Sequence, residues 1–434
     1  MTESSPIDVE KARSYAVKTV RKLTKAGFIA YFAGGCVRDQ EMQPSQDPHD
    51  FDIATNALPD QIQEVFADKK TLAIGAAFGV ITLIGTKATG NIEIATFRED
   101  ADYSDGRHPD AISFCNAEQD ALRRDFTING MFYEPINEQV IDFVNGQADL
   151  IAKVIRAIGI PAERFHEDKL RILRAIRFAT TLQFTIHSET FAAVKQFAEN
   201  LQQVSRERIL VELQKTLESE NYQHGLELLL DSGVLMYAVP GLTLPDSNQA
   251  ANWKSLLAIT AAMPTNDFLS TLALIYKTLA PDTILSDVRS NLKQMKMSND
   301  DIRTVCWMID KVEPFINADS APWPQIQRLL IDPHAAKTLA IATAWASHRQ
   351  QPTTGVKFCQ QKLDLPLEQL DPAPLLNGKD LQEMGLHPGP LFSKVLSAVR
   401  DAQLTGEATT KSDAAVLAQT VFQQLTDSLE QKNG

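Results

Sequence analysis

Ala33-Gly34-Gly35-Cys36-Val37-Arg38-Asp39 and, a short way on, Asp50-Phe51-Asp52-Ile53-Ala54-Thr55 are the stretches on which the fold turns. The first follows the apolar run Ile29–Ala33. Two glycines between a strand and a helix let backbone N–H groups approach a phosphate closely. Arg38 adds the fork of donors that grips a phosphate in two places. In the second stretch, Asp50 and Asp52 are two apart in an extended run, so both carboxylates point one way while Phe51 and Ile53 pack on the other side. Two carboxylates on one strand edge suit Mg²⁺, which takes oxygen ligands and substrate phosphates. Alone, a plain turn and a solvated strand edge are the simpler readings of the two stretches.

Taken together, a glycine turn on one strand followed by an Asp-x-Asp strand is the arrangement of polymerase-β-type nucleotidyltransferases. Two-metal catalysis explains the pairing: one ion activates the attacking hydroxyl and the other neutralises the leaving pyrophosphate. A third carboxylate from a neighbouring strand usually completes such a site. Glu93, flanked by apolar residues in Asn91-Ile92-Glu93-Ile94-Ala95-Thr96, fits that role and also fits an ordinary outward-facing acid.

Working outward, short apolar runs dominate from residue 28 to about 145. Strands are predicted at Phe28–Ala33, Asp50–Ala54, Gly79–Ile84, Ile92–Phe97, Ala111–Phe114 and Val140–Val144, with helices at 59–67 and 118–124 between them. A helix is predicted over 1–26, opened by Ser5 as cap, Pro6 at the first position and Asp8 three residues after the cap. Beyond about residue 150 helical periodicity takes over, with breaks near Gly241–Ser247, Pro264–Asn266, Pro322–Pro324 and Gln351–Gly355. The fold class is α+β: a head with a mixed sheet, then an all-helical neck, body and tail. The expected divisions are 1–150, 151–220, 221–350 and 351–434.

Several further motifs run in a recognisable order: Thr96-Phe97-Arg98, Tyr103-Ser104-Asp105-Gly106-Arg107-His108-Pro109, Arg123-Arg124-Asp125-Phe126-Thr127-Ile128-Asn129-Gly130, Glu167-Asp168-Lys169-Leu170-Arg171, and Ser205-Arg206-Glu207-Arg208 with Glu212. With Gly34–Asp39 and Asp50–Thr55 they resemble class II tRNA nucleotidyltransferases (CCA-adding enzymes) and bacterial poly(A) polymerases, densely over residues 28–215 and loosely beyond. The resemblance implies that Asp50 and Asp52 bind the metal. It implies that Gly34, Gly35, Arg38, Arg123, Arg124, Asp125 and Asn129 belong to the nucleotide site, with the Arg-Arg-Asp motif on sugar and triphosphate. Residues 99–110 match a loop linked to switching between CTP and ATP. One departure is His49, where many relatives carry Lys.

Glu167, Asp168 and Arg171 fall in a run read as one helix from Arg164 to Ala179, with Leu170, Leu173, Ile176 and Ala179 as its buried stripe. Asp168–Arg171 and Glu167–Arg171 are then helix neighbours, and a plain salt bridge is the simplest reading. Cytosine and adenine, however, both present an exocyclic amino donor beside a ring-nitrogen acceptor. A carboxylate and a guanidinium match that edge, and leave themselves unpaired against uracil or guanine. The resemblance implies this templating role for Asp168 and Arg171, with Glu167 available to orient Arg171. Arg174 and Arg177 continue on nearby faces, suited to holding the helix or RNA phosphate. Glu207, Arg208 and Glu212 match the last family motif, and the resemblance implies that they brace the nucleotide-binding helix.

Hydrophobic residues make up 44% and charged residues 22% of the 434, a globular composition. The net charge of −13 counts against nucleic-acid binding on its face, but phosphate binding needs local positive potential, and basic residues cluster between Arg123 and Arg177. Cys36, Cys115, Cys306 and Cys359 form no paired motif. No apolar run spans a membrane and no signal segment is seen, which places the protein in the cytoplasm. In the tail, Gly378-Lys379 and Pro388-Gly389-Pro390 front helices that suit either RNA phosphates or ordinary packing. There is no His-Asp phosphohydrolase signature, poly(A) polymerase signature or long basic tail, which favours tRNA over poly(A) synthesis. The expected ligands are Mg²⁺, ATP, CTP and the tRNA 3′ end, with no obligatory protein partner. A-adding-only, CC-adding-only and poly(A) enzymes remain alternatives, as does a non-catalytic RNA-binding protein.

Overall fold

Seven strands form the main sheet of the head, and their order explains why the Asp52 and Glu93 segments meet. In the computed structural model, which describes residues 7–43, 48, 50–100, 112–243, 249–265 and 267–433, the strands of the head are β1 (Ala30–Ala33), β2 (Asp52–Thr55), β3 (Thr71–Leu72), β4 (Val80–Leu83), β5 (Ile92–Thr96), β6 (Arg98–Asp100), β7 (Ile112–Phe114), β8 (Phe132–Glu134) and β9 (Gln139–Ile141). The sheet order is β3-β4-β5-β2-β1-β8-β9. β2 runs parallel to β5 and antiparallel to β1, so the sheet is mixed as expected. Among the described residues β6 and β7 pair with each other alone, as a separate ribbon. Phe97, Phe132, Ala33, Ala54, Ala121, Val144 and Ile158 make a buried core beneath the site.

The helices of this part are α1 (Val9–Lys25), α2 (Gly35–Met42), α3 (Pro59–Val65), α4 (Ala117–Leu122), α5 (Gly146–Ala152), α6 (Pro161–Glu167), α7 (Arg171–Leu182), α8 (Ser188–Phe197) and α9 (Arg206–Leu217). α1 begins later than its expected start. Asp8 is its cap and accepts from the Lys11 N–H at 3.1 Å, so the acid expected inside the first turn is the cap itself. Ser5 and Pro6 lie outside the described residues.

The neck differs from its expected form. Arg164–Ala179 is not one helix: α6 ends at Glu167 and α7 starts at Arg171, with Asp168 extended at φ −128°, ψ 103°. The cause is local. The Asp168 carboxylate accepts from the Leu170 N–H at 3.0 Å and so serves an unpaired donor at the start of α7, competing with helix continuation. The buried stripe is as expected, with Leu170, Leu173, Ile176 and Ala179 all inside.

Contacts divide the chain into two compact units, 1–244 with 291–297, and 245–290 with 298–434. The second is helical among its described residues. Phe268–Leu279 is buried on nearly every face, as an apolar helix without a polar side must be. Leu376, Leu381, Val395, Val399, Ala414 and Ala418 form a smaller core in the tail. There, the Gly378-Lys379 turn differs from the phosphate cradle it resembles in sequence. The N–H groups of Lys379 and Asp380 are already bonded to the Asn377 side chain, and Asp380 bonds back to Asn377 N–H. Beside these occupied N–H groups, Lys379 itself is exposed and able to meet an anion. The expected breaks at 244–248 and at Asn266 fall outside the described residues.

Candidate active site

Gly34 takes φ +74°, a conformation costly for any residue with a Cβ, and caps the N-terminus of α2 at the end of β1. It opens one wall of a cavity of about 480 Å³. Gly34, Gly35, Arg38, Asp52, Arg123, Arg124, Asp125, Asn129, Asp168, Arg171, Arg174 and Phe178 line it. The motifs separated in the sequence thus meet around one space.

On the sheet side, burial alternates along Asp50-Phe51-Asp52-Ile53: the acids face out, and Phe51 and Ile53 are inside. Asp50 precedes β2, and Asp52 is its first residue. Parallel pairing sets Asp52 directly opposite Glu93 of β5. The Asp52 side chain reaches water. Even so, the protein mass around it, then the charge of Glu93, pushes its carboxyl up to about 6; Arg124 opposes this and Asp50 adds to it. Crowded carboxylates are what a divalent cation relieves. Among the described residues no three acidic, histidine or cysteine side chains close around one point. Mg²⁺ does not require this, because it binds through one or two carboxylates and fills its remaining positions with water and substrate phosphates. The donor set therefore fits such an ion. His49 and residues 101–111, which hold most of the expected switching loop, lie outside the described residues.

The basic side of the cavity is braced by Asp120, which the sequence reading passed over. Asp120 is 1% exposed. One of its oxygens accepts from Arg123 Nε and Nη2 at 2.9 and 2.8 Å, and the other from Arg124 Nε and Nη2 at 3.2 and 2.9 Å. It also accepts from the Arg98 backbone N–H at the start of β6, at 3.2 Å. Burial works against its charge, but Arg124 and Arg123 outweigh this and hold its pKa down. The signal was available: an acid three and four residues before two arginines in a helix faces both.

Asp125 lines the cavity with both carboxylate oxygens already engaged. One accepts from the Phe126 N–H and Asn129 Nδ2 at 2.8 and 3.1 Å, and the other from Arg174 Nη2 and Nε at 2.6 and 3.0 Å. Burial alone would raise its pKa; the charge and hydrogen bonds of Arg174, helped by Asn129, bring it down to about 2. Arg38 is likewise held, donating to Asn129 Oδ1 at 2.7 Å and to Asp39 at 2.8 Å.

Asp168 and Arg171 both reach the cavity but do not pair with each other, contrary to the helix-neighbour expectation. Asp168 pairs with Arg208 of α9 at 2.8 Å. Arg171 pairs with Glu167 at 2.7 Å and donates to the Arg123 carbonyl at 2.9 Å. The turn between α6 and α7 is what separates them. Arg171 Nε–H makes no hydrogen bond among the described residues, so it can still serve a ligand. Arg177 does not line the cavity; it pairs with Glu212. Glu207 lies in the first turn of α9.

Comparison with known proteins agrees with this geometry. The profile of the Poly A polymerase head domain matches residues 30–156, and that of tRNA nucleotidyltransferase domain 2 matches 271–418. A CCA-adding enzyme of Levilactobacillus brevis is 34% identical over 423 residues, covering 96% of this chain and 99% of the relative. The chain belongs to the CCA-adding enzyme family. A second family member, from Lactococcus lactis, is 33% identical over 93% of this chain and 96% of its own. Among solved structures, the Bacillus stearothermophilus CCA-adding enzyme in complex with CTP aligns with TM-score 0.69 and 26% identity, over 98% of this chain and 99% of that one. A Thermotoga maritima CCA-adding enzyme shares the fold at TM-score 0.68 and 19% identity, over 96% and 98%. No helix among the described residues is long and apolar enough to cross a membrane.

Proposed function

We propose that this chain adds C, C and A to the 3′ end of tRNA from CTP and ATP, without a nucleic-acid template. The observation that carries the reading is one cavity lined by a metal-type carboxylate, Asp52, by the Arg123–Arg124 pair, and by Asp168 with Arg171. The tRNA 3′-hydroxyl attacks the α-phosphorus; a new P–O bond forms, the bond to the β-phosphate oxygen breaks, and pyrophosphate leaves with its electron pair. Asp50 and Asp52, with Glu93 opposite, would hold Mg²⁺. When bound, the ion supplies a lowered pKa for the hydroxyl and charge neutralisation for the leaving group.

The other steps belong to the chain itself. Arg123 and Arg124, oriented by Asp120, face the triphosphate, and the Gly34–Gly35 turn lets it come close. Asp168 accepts from the exocyclic amino group of cytosine or adenine, and Arg171 donates to the ring nitrogen. In uracil and guanine the donor and acceptor positions are exchanged, which leaves both side chains unpaired. Arg174 and Asp125 hold this wall in place, and Arg177 with Glu212 supports it from outside the cavity. We assign catalysis to residues 1–150, base choice to 151–220, a helical body to 221–350, and tRNA binding to 351–434. The reaction belongs in the cytoplasm, where tRNA, CTP and ATP meet.

The test is extension with Mg²⁺ of three tRNA transcripts, lacking CCA, ending in C and ending in CC. Each nucleotide is given alone, and CTP is also given with ATP. Completion of CCA on the first transcript is the expected result. A single A added only to the CC-ended transcript makes the chain an A-adding enzyme. Stopping at CC makes it a CC-adding enzyme, and a long A ladder a poly(A) polymerase. No extension overturns the catalytic reading.

A further inference from the structure

Phe178 is 6% exposed, lies on α7, and contributes to the cavity wall. Three guanidinium groups gather at its ring: Arg177 at 3.8 Å from the centroid, Arg174 at 5.2 Å and Arg38 at 5.3 Å. The ring is itself fixed by an edge-on contact with Phe126, centroids 5.8 Å apart at 78°. Three like charges this close repel one another. The carboxylates bonded to them are Asp125 for Arg174, Glu212 for Arg177 with a longer contact to Arg174, and the half-exposed Asp39 for Arg38. The negative face of an aromatic ring draws guanidinium groups toward it, most strongly where water is excluded.

The three arginines come from different parts of the site. Arg38 belongs to α2, directly behind the glycine turn; Arg174 and Arg177 belong to the neck. Arg38 and Arg174 line the cavity, whereas Arg177 does not. Arg38 reaches Asp125 only through Asn129, and Arg174 bonds it directly. The ring is therefore a second, independent tie between the phosphate-side helix and the base-side helix.

We infer that Phe178 is a positioning residue for nucleotide binding: its ring holds Arg38 and Arg174 at the cavity wall and so couples the glycine turn to the base-selecting helix. This deepens the function proposed above and rests on it. A leucine or methionine would fill nearly the same apolar space without attracting cations, while tyrosine or tryptophan would keep the aromatic face. Loss of the ring leaves Arg38 held by Asn129 and Asp39 alone and Arg174 by its carboxylates alone, so the bound nucleotide must order both more fully, which weakens binding of ATP and CTP alike.

The experiment measures ATP and CTP dissociation constants by calorimetry, and KM and kcat for tRNA extension, in the full chain and in Phe178→Leu, Phe178→Met, Phe178→Tyr and Phe178→Trp. Thermal unfolding of each variant is followed in parallel. Leu and Met are expected to weaken both nucleotides about tenfold, with KM moving more than kcat, and Tyr or Trp to restore most of the affinity. Wild-type affinity in Leu or Met overturns the inference. Equal losses in Leu and Tyr also overturn it, because they make the position one of shape alone. Should Leu unfold, Met carries the comparison. Failure of the wild type to extend tRNA would overturn the proposed function while leaving the binding measurement to decide on Phe178.

Discussion

Single side chains in this site are set by how many partners each already has. Asp52 has room for a cation; Asp125 has none, because both its oxygens are taken by protein donors. Asp52→Ala is expected to lower kcat about a thousandfold or more, since metal assistance contributes several kcal/mol to such transfers; tRNA affinity in a filter-binding assay should stay near wild type. Asp125→Asn tests a different property. The Asp125 pKa is held near 2 in the fold, below its ordinary 3.8. Its contribution to stability, about 2 kcal/mol, is therefore complete above pH 4 and disappears as pH falls through 2. Urea unfolding at pH 7 and pH 3 should show part of the wild-type stability lost on acidification, and a smaller loss in Asp125→Asn. Asp120 was legible in the sequence by helix spacing. Phe178 was legible only in part: Arg174, four residues before it on α7, shares its face, whereas Arg38 reaches its ring from α2, which no local spacing announces.

Elements decide which of these side chains meet. The parallel pairing of β2 with β5 is what brings Glu93 opposite Asp52; their sequence separation says nothing about strand order. The break between α6 and α7 likewise sends Asp168 to Arg208 and leaves Arg171 with Glu167. Base choice is expected to depend on both arms. Asp168→Ala or Arg171→Ala should admit UTP or GTP, read as the ratio of kcat/KM for ATP and UTP falling tenfold or more. Lower activity with unchanged selectivity would assign both residues to the scaffold. At the turn before α2, Gly34→Ala is expected to destabilise the head by about 1–3 kcal/mol, because φ +74°, ψ −130° is a conformation that residues with a Cβ rarely adopt. Its thermal midpoint against wild type measures this.

For the whole molecule, the question is how a chain of net charge −13 handles a polyanion. Basic groups concentrate locally, and the tail presents the exposed Lys379 rather than a cradle of free N–H groups. Lys379→Ala should weaken tRNA binding at low salt and reduce the slope of log Kd against log salt by about one, without changing ATP affinity. The sequence by itself determined the chemistry: the two outward aspartates, the glycine turn, the arginine pair and the switch from strand to helical periodicity are all local patterns, set by the geometry of neighbouring residues. Only the tertiary structure decided the partners. Glu93 beside Asp52, Arg208 on Asp168, Glu212 on Arg177 and Arg38 at the Phe178 ring are long-range pairings. They follow from sheet order and helix packing, where burial makes each charge take whichever partner the fold brings within reach.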